Sequence, residues 1–288
     1  MAVKINDTIS DYLISFDGTK IHYQISGKRT STKNIIFLHG LGGNLSAWDP
    51  QRDYFEKQGY RVIAIDIRGH GMSDRPKERE KYTLDFLAKD IATFIEQKKI
   101  KNFILVGHCL GGILSLLLTG YFKLKPEKLI LIATTYEFPF YARLLEKTGI
   151  LDLSSDALNQ IPFRLGRKGQ MQVDKFRGTH DLDPRRILND IMYTSAQSYV
   201  SLYSNLLLFN GEKFLENIKC PTLIIHGEKD LFFPVKIAEQ LHKKIKNSKL
   251  VLLPNANHII VLNNPDQLNQ IIDTYLHEKV NSNINNFV

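Results

Sequence analysis

The hexapeptide Gly107-His108-Cys109-Leu110-Gly111-Gly112 constrains this chain more than any other stretch, because it joins two apolar runs, Phe103–Val106 and Ile113–Leu118. It reads as strand, sharp turn, helix. A turn that tight lifts one side chain above the carboxyl edge of the sheet, and here that side chain is the thiol of Cys109. Glycine at 107 and 111 fits such a turn, since strand and helix cross too closely to leave room for a Cβ on either. The next amide, of Leu110, opens the helix and points toward any negative charge that develops above the turn.

The remainder of the chain alternates. Asp11–Phe16 and Ile21–Ser26 read as strands joined through Asp17-Gly18, a hairpin signal at an antiparallel sheet edge. Asn34–Leu38, Arg61–Ile65, Phe103–Val106, Leu129–Ala133, Thr222–His226 and Lys249–Leu253 are short apolar runs suited to parallel strands covered on both faces. Helical patterns lie between them, the clearest being Leu84, Leu87, Ile91 and Ile95 with Lys89, Asp90, Glu96 and Lys98 on other faces. The fold class expected is therefore α/β, a doubly wound, mainly parallel, eight-stranded sheet with its site at the carboxyl ends of the strands.

The alternation breaks once, between about Thr135 and Lys219, where helical segments such as Arg185–Leu208 follow one another without a convincing strand. This divides the chain into a core of residues 1–135 and 219–280, a helical cap of residues 136–218 inserted after the sixth strand, and a polar, Asn-rich tail of residues 281–288. The cap is rich in aromatic residues, among them Phe138, Tyr141, Tyr193, Tyr199 and Phe209. Most are expected to pack the cap itself, with some turned toward a pocket.

A chain of 288 residues with 43% apolar and 24% charged residues belongs with ordinary globular proteins, which excludes disordered and fibrous classes. Its apolar runs fall far short of the roughly 20 residues a membrane span needs, and residues 1–7 lack the apolar core of a signal peptide, so a cytoplasmic location is expected. The net charge of +8 is spread over pieces such as Lys98-Lys99-Ile100-Lys101, with no nucleic-acid motif beside it, and reads as solvated helix faces. Cap cations such as Arg164, Arg167, Lys168, Arg177, Arg185 and Arg186 could meet an anionic group, but solvated faces account for them more simply. The two cysteines, Cys109 and Cys220, offer neither a disulfide framework nor a metal spacing, and Cys220 before Pro221 reads as a small buried side chain.

A thiol at such a turn needs a base to take its proton and a carboxylate to orient that base. After the run Thr222–His226 comes Gly227-Glu228-Lys229-Asp230, and after the last strand comes Pro254-Asn255-Ala256-Asn257-His258. Cys109, Asp230 and His258 thus stand at three strand ends in the chain order nucleophile, acid, base. Glu228, the rival acid, lies closer to its strand and is expected to face elsewhere. The glycine-rich loop His39-Gly40-Leu41-Gly42-Gly43 should supply a second oxyanion donor, so the amides of Leu41 and Leu110 are assigned that role. His39 and His108 flank the site and read mainly as hydrogen-bonded structural histidines.

These motifs, with Asp66-Ile67-Arg68-Gly69-His70-Gly71-Met72-Ser73-Asp74, resemble those of the α/β-hydrolase superfamily, specifically its small capped enzymes, over about Ile14 to Lys279. The resemblance implies that Arg68, His70 and Asp74 are scaffold beside the site, and it places Trp48 near the pocket mouth. The candidate pocket residues are then His39, Trp48, His108, Phe138 and Tyr141. The departure is the nucleophile, because most such enzymes carry serine where this chain has Cys109, whether by nature or by substitution.

Resemblance offers two precedents for a cysteine there. Dienelactone hydrolases use it to hydrolyse, and polyhydroxyalkanoate synthases use a Gly-x-Cys-x-Gly-Gly box to transfer acyl groups. Three functions follow: a hydrolase of carboxylic esters, thioesters or lactones acting through a covalent acyl-enzyme, an acyltransferase with a non-water acceptor, or a hydrolase-like small-molecule receptor. The first is expected, with a small acyl substrate as partner and no cofactor required.

Overall fold

The structure, a computed structural model, describes residues 8–138 and 166–278. Its centre is one eight-stranded sheet in the order β1-β2-β4-β3-β5-β6-β7-β8. Strands β1 (Ile9–Ile14) and β2 (Lys20–Gly27) form the hairpin at one edge, and β2 pairs antiparallel with β4 (Arg61–Ile65). The others, β3 (Asn34–Leu38), β5 (Phe103–His108), β6 (Lys128–Ile132), β7 (Thr222–Gly227) and β8 (Ser248–Leu253), run parallel to β4 and to one another.

The parallel strands are apolar on both faces because both faces are covered. Alternate residues of β3 divide cleanly: Ile36 and Leu38 enter one core, with Leu87, Ile91 and Leu241, while Ile35 and Phe37 enter the other, with Phe55, Leu268 and Ile272. Helices α1 (Asp49–Lys57), α2 (Leu84–Gln97) and α3 (Leu110–Leu116) connect the first strands. No helix among the described residues is long and apolar enough to cross a membrane.

Between β6 and β7 the described chain forms a 3-10 turn (Val173–Phe176) and helices α4 (Pro184–Thr194), α5 (Ala196–Leu207) and α6 (Glu212–Leu215). The stretch Arg185–Leu208 consists of two helices that follow one another, α4 and α5. Ser195 takes φ 77°, a left-handed conformation that ends α4, and its hydroxyl then accepts from the Ser198 amide at 3.2 Å to cap α5. Helices α7 (Val235–Lys244), α8 (Ile260–Asn263) and α9 (Pro265–His277) complete the described fold.

Candidate active site

Cys109 stands between β5 and α3 with φ 50° and ψ −113°, a backbone conformation an L-residue adopts only when its surroundings enforce it. Several contacts enforce it. A Cβ on Gly107 would lie 2.3 Å from the Gly111 carbonyl oxygen, and one on Gly111 would lie 2.1 Å from that of Leu38, so neither position tolerates a side chain. The Cys109 amide donates to the Ile132 carbonyl at 3.0 Å, and its carbonyl accepts from the Thr134 hydroxyl at 2.8 Å. The thiol is partly exposed above the sheet edge.

Asp230 and His258 meet on the loops after β7 and β8. The His258 Nδ1 contacts Asp230 Oδ2 at 2.8 Å, which leaves Nε2 for the thiol. The other carboxylate oxygen accepts from the amides of Phe232 (2.8 Å) and Phe233 (2.9 Å), and the Asp230 side chain has no exposed surface. Burial raises the Asp230 carboxyl, but the hydrogen bond and charge of His258, with the Phe233 amide, outweigh it and hold the group below its usual range. Burial also opposes charge on His258. Interaction with Cys109 and with the Asp230 carboxylate overcomes that and pushes the imidazole up to about 10. Glu228 is exposed, two residues from the acid.

The raised imidazole has a consequence for pH dependence. A group raised in the folded protein keeps its proton below the new value and loses it as pH rises through that value. In the catalytic role proposed below, protonated His258 serves the leaving group, so turnover should persist through neutrality and decline as pH passes about 10. Initial rates of ester cleavage across pH 6 to about 11 check this, and a decline centred near neutrality would contradict it.

The loop after β3 lies against this turn: a Cβ on Gly40 would sit 3.2 Å from Cys109 Cβ. Most amides of the two turns are engaged. Gly111 donates to the His39 carbonyl (3.0 Å), Gly43 to that of Gly40 (3.1 Å) and Gly42 to His70 Nε2 (3.2 Å). His39 is enclosed with both ring nitrogens engaged, Nδ1 at the Gly40 carbonyl and Nε2 accepting from the Ile67 amide, and burial pushes it down to about 3. It holds the loop and presents no free nitrogen to a ligand. His108 is buried with its Nε2 on the His258 carbonyl at 2.9 Å, and burial likewise lowers it to about 3.

Two expectations about the pocket change. Trp48 is not at a pocket mouth: its ring has no exposed surface and packs 4.8 Å from that of Phe37, beneath the sheet face that α1 covers. Arg186 is not on a solvated face either. Its side chain is 13% exposed, pairs with Asp190 at 2.7 Å and donates to the Asp181 carbonyl at 2.6 Å. Phe138 is half-buried, with its ring 5.7 Å from Phe233, whose ring is 5.4 Å from His258. Tyr141 lies outside the described residues.

Sequence reasoning missed several neighbours of the base. The Phe232 ring stands 4.9 Å from that of His258. Asn257 fixes the base loop, accepting from the Ile259 amide at 3.1 Å and donating to the Thr179 carbonyl at 3.0 Å. Asp181 accepts from the His258 amide itself. A polar residue adjoining His258 was the one visible signal, and it pointed to Asn257 alone.

The architecture is that of a known family. The model of the alpha/beta hydrolase fold family matches residues 33–265. The AB hydrolase superfamily protein YisY of Bacillus subtilis (strain 168) is 31% identical over 245 residues, covering 83% of this chain and 89% of that protein. Epoxide hydrolase 4 of Homo sapiens is 27% identical over 284 residues, covering 92% and 78%. The crystal structure of the enol-lactonase from Burkholderia xenovorans LB400 superposes with a TM-score of 0.71 at 25% identity, covering 93% of this chain and 100% of that one. The chain therefore belongs to the alpha/beta hydrolase fold family of enzymes.

Proposed function

We propose that this protein hydrolyses a carboxylic ester, thioester or lactone through Cys109, His258 and Asp230. One observation carries the reading: the strained turn presents a partly exposed thiol to an imidazole whose other nitrogen is held at 2.8 Å by a buried carboxylate. The Cys109 thiolate attacks the substrate carbonyl, forming a C–S bond and an oxyanion. We assign its stabilisation to the amides of Leu41 and Leu110, which donate to no protein group among the described residues. As the carbonyl reforms, the bond to the leaving group breaks and imidazolium His258 protonates it. His258 then takes a proton from water, hydroxide attacks the thioester, and the thiolate departs.

The lactonase likeness at 25% identity supports a cyclic or linear ester as substrate. Epoxide opening, carried in the name of the Homo sapiens relative, fits a thiol poorly: thiolate attack on an epoxide gives a thioether, which water at this site does not cleave, whereas attack on an acyl group gives a hydrolysable thioester. The segment 136–218 is read as a cap over the site. Tyr199 within it is pushed up to about 12, by burial first and then by the charge of Asp190.

The test is nitrophenol release from short and medium acyl nitrophenyl esters at enzyme concentrations that resolve one turnover. Steady release beyond one equivalent is expected. A burst that stops at one equivalent would leave a stable acyl-Cys109 and favour transfer to a non-water acceptor or a receptor role.

A further inference from the structure

Asp181 lies in the segment between β6 and β7, two residues before the cap of α4, and is 1% exposed. Its carboxylate accepts two backbone amides from two other loops: Oδ2 from Leu231 at 2.9 Å and Oδ1 from His258 at 3.0 Å. Leu231 adjoins the acid, and His258 is the base. One buried carboxylate therefore ties the acid loop to the base loop with charge-assisted bonds. The flanking chain reinforces this, since the Thr179 carbonyl accepts from both Asn257 and Asn263 side chains at 3.0 and 2.8 Å. On its other side the Asp181 carbonyl accepts from Arg186, which pairs with Asp190, and Asp190 packs so closely on the oxyanion loop that a Cβ on Gly42 would lie 2.6 Å from its Cβ.

We propose that Asp181 is a positioning residue that makes the alignment of His258 and Asp230 depend on the inserted segment, which also supports the oxyanion loop through Arg186 and Asp190. The proposal rests on the triad reading above. The carboxylate touches neither thiol nor imidazole. It sets where the His258 and Asp230 backbones stand, and small displacements of such groups cost large factors in rate.

The test uses the full chain and iodoacetamide, whose carbon is attacked by the Cys109 thiolate with loss of iodide, so that no substrate need be known. Modification is read at Cys109 by peptide mass, which separates it from Cys220. Asp181→Ala loses both amide contacts and is expected to slow alkylation at pH 7 about tenfold or more, since each charge-assisted hydrogen bond is on that scale. Asp181→Asn keeps one acceptor and should fall between Ala and the parent, which gives a near-isosteric variant should Asp181→Ala fail to fold. With nitrophenyl esters kcat should fall in both while KM holds.

Asp183→Ala is the control, because that side chain caps α4 on the same segment by accepting from Arg185 and Arg186 amides and reaches neither loop. It should alkylate at the parental rate. Parental alkylation in folded Asp181→Ala and Asp181→Asn, or an equal loss in Asp183→Ala, would overturn the role of Asp181. Parental alkylation in His258→Ala would instead overturn the triad, and the proposal with it.

Discussion

Replacing His258 with alanine is expected to slow acylation of Cys109 by roughly 10²- to 10⁴-fold, the range lost with a positioned acid–base group. Both the proton acceptor for the thiol and the donor for the leaving group vanish with that one side chain, and no second imidazole is placed to replace it. His108 is adjacent, but its Nε2–H is donated to the His258 carbonyl and burial lowers the ring to about 3, so it stays neutral near pH 7 with its one N–H already committed. Asp230→Asn should fall in the same direction for a different reason. An amide can keep the contacts from Phe232 and Phe233, yet it would present N–H to His258 Nδ1 and drive the imidazole proton to Nε2, the nitrogen that faces the thiol. The single-turnover phase of nitrophenol release measures both, with circular dichroism confirming the fold. A His258→Ala protein that acylates at the parental rate would sink the assignment.

What could be read ahead of the structure follows from where the information sits. Strands β3 and β4 match their expected bounds of Asn34–Leu38 and Arg61–Ile65, because a strand covered on both faces is written in its own apolar residues. The turn at Cys109 was legible for a similar reason, since Gly107 and Gly111 are needed on steric grounds that leave only one residue type. Trp48 was misplaced because a bulky apolar residue after a loop fits a pocket mouth and a core equally well, and only the packing against Phe37 decides. Asp181 was invisible: its partners are backbone amides 50 and 77 residues away, and an amide has no side-chain signature to pair with a carboxylate. Arg186 was read by charge alone, and its role comes from Asp190 one helical turn on and from a main-chain carbonyl.

Arg68→Met is expected to destabilise the protein by about 3–5 kcal/mol, the cost of removing one partner from a buried ion pair. The Arg68 guanidinium has no exposed surface and binds Asp90 through Nε at 2.7 Å and Nη2 at 2.6 Å. Its Nη1 reaches Asp17 at 2.8 Å and its Nη2 reaches the other oxygen of Asp17 at 3.1 Å, so the hairpin β1–β2 and helix α2 are both fastened to the turn after β4. The two carboxylates pay unequally for this. Burial dominates at Asp90 and keeps it above the ordinary range despite Arg68, whereas at Asp17 the bonds from Arg68 and Thr19 outweigh burial and hold it at about 2. Without the guanidinium, Asp90 has the Ser15 hydroxyl as a neutral partner but no cation, and it must either stay charged in an apolar layer or take up a proton. The pair Arg68→Met with Asp90→Leu should recover part of the loss, because the more deeply buried carboxylate then leaves with its cation and only the partly exposed Asp17 lacks its counterion. The Asp17 contribution adds a sign in pH: a carboxyl lowered in the folded protein stabilises above its unfolded value of 3.8, and that stability is lost as pH falls from 3.8 through about 2. Urea midpoints for parent, single and double variants, at pH 7 and at about pH 3, measure both effects, and an Arg68→Met midpoint equal to the parent's would show that the network contributes nothing to the fold.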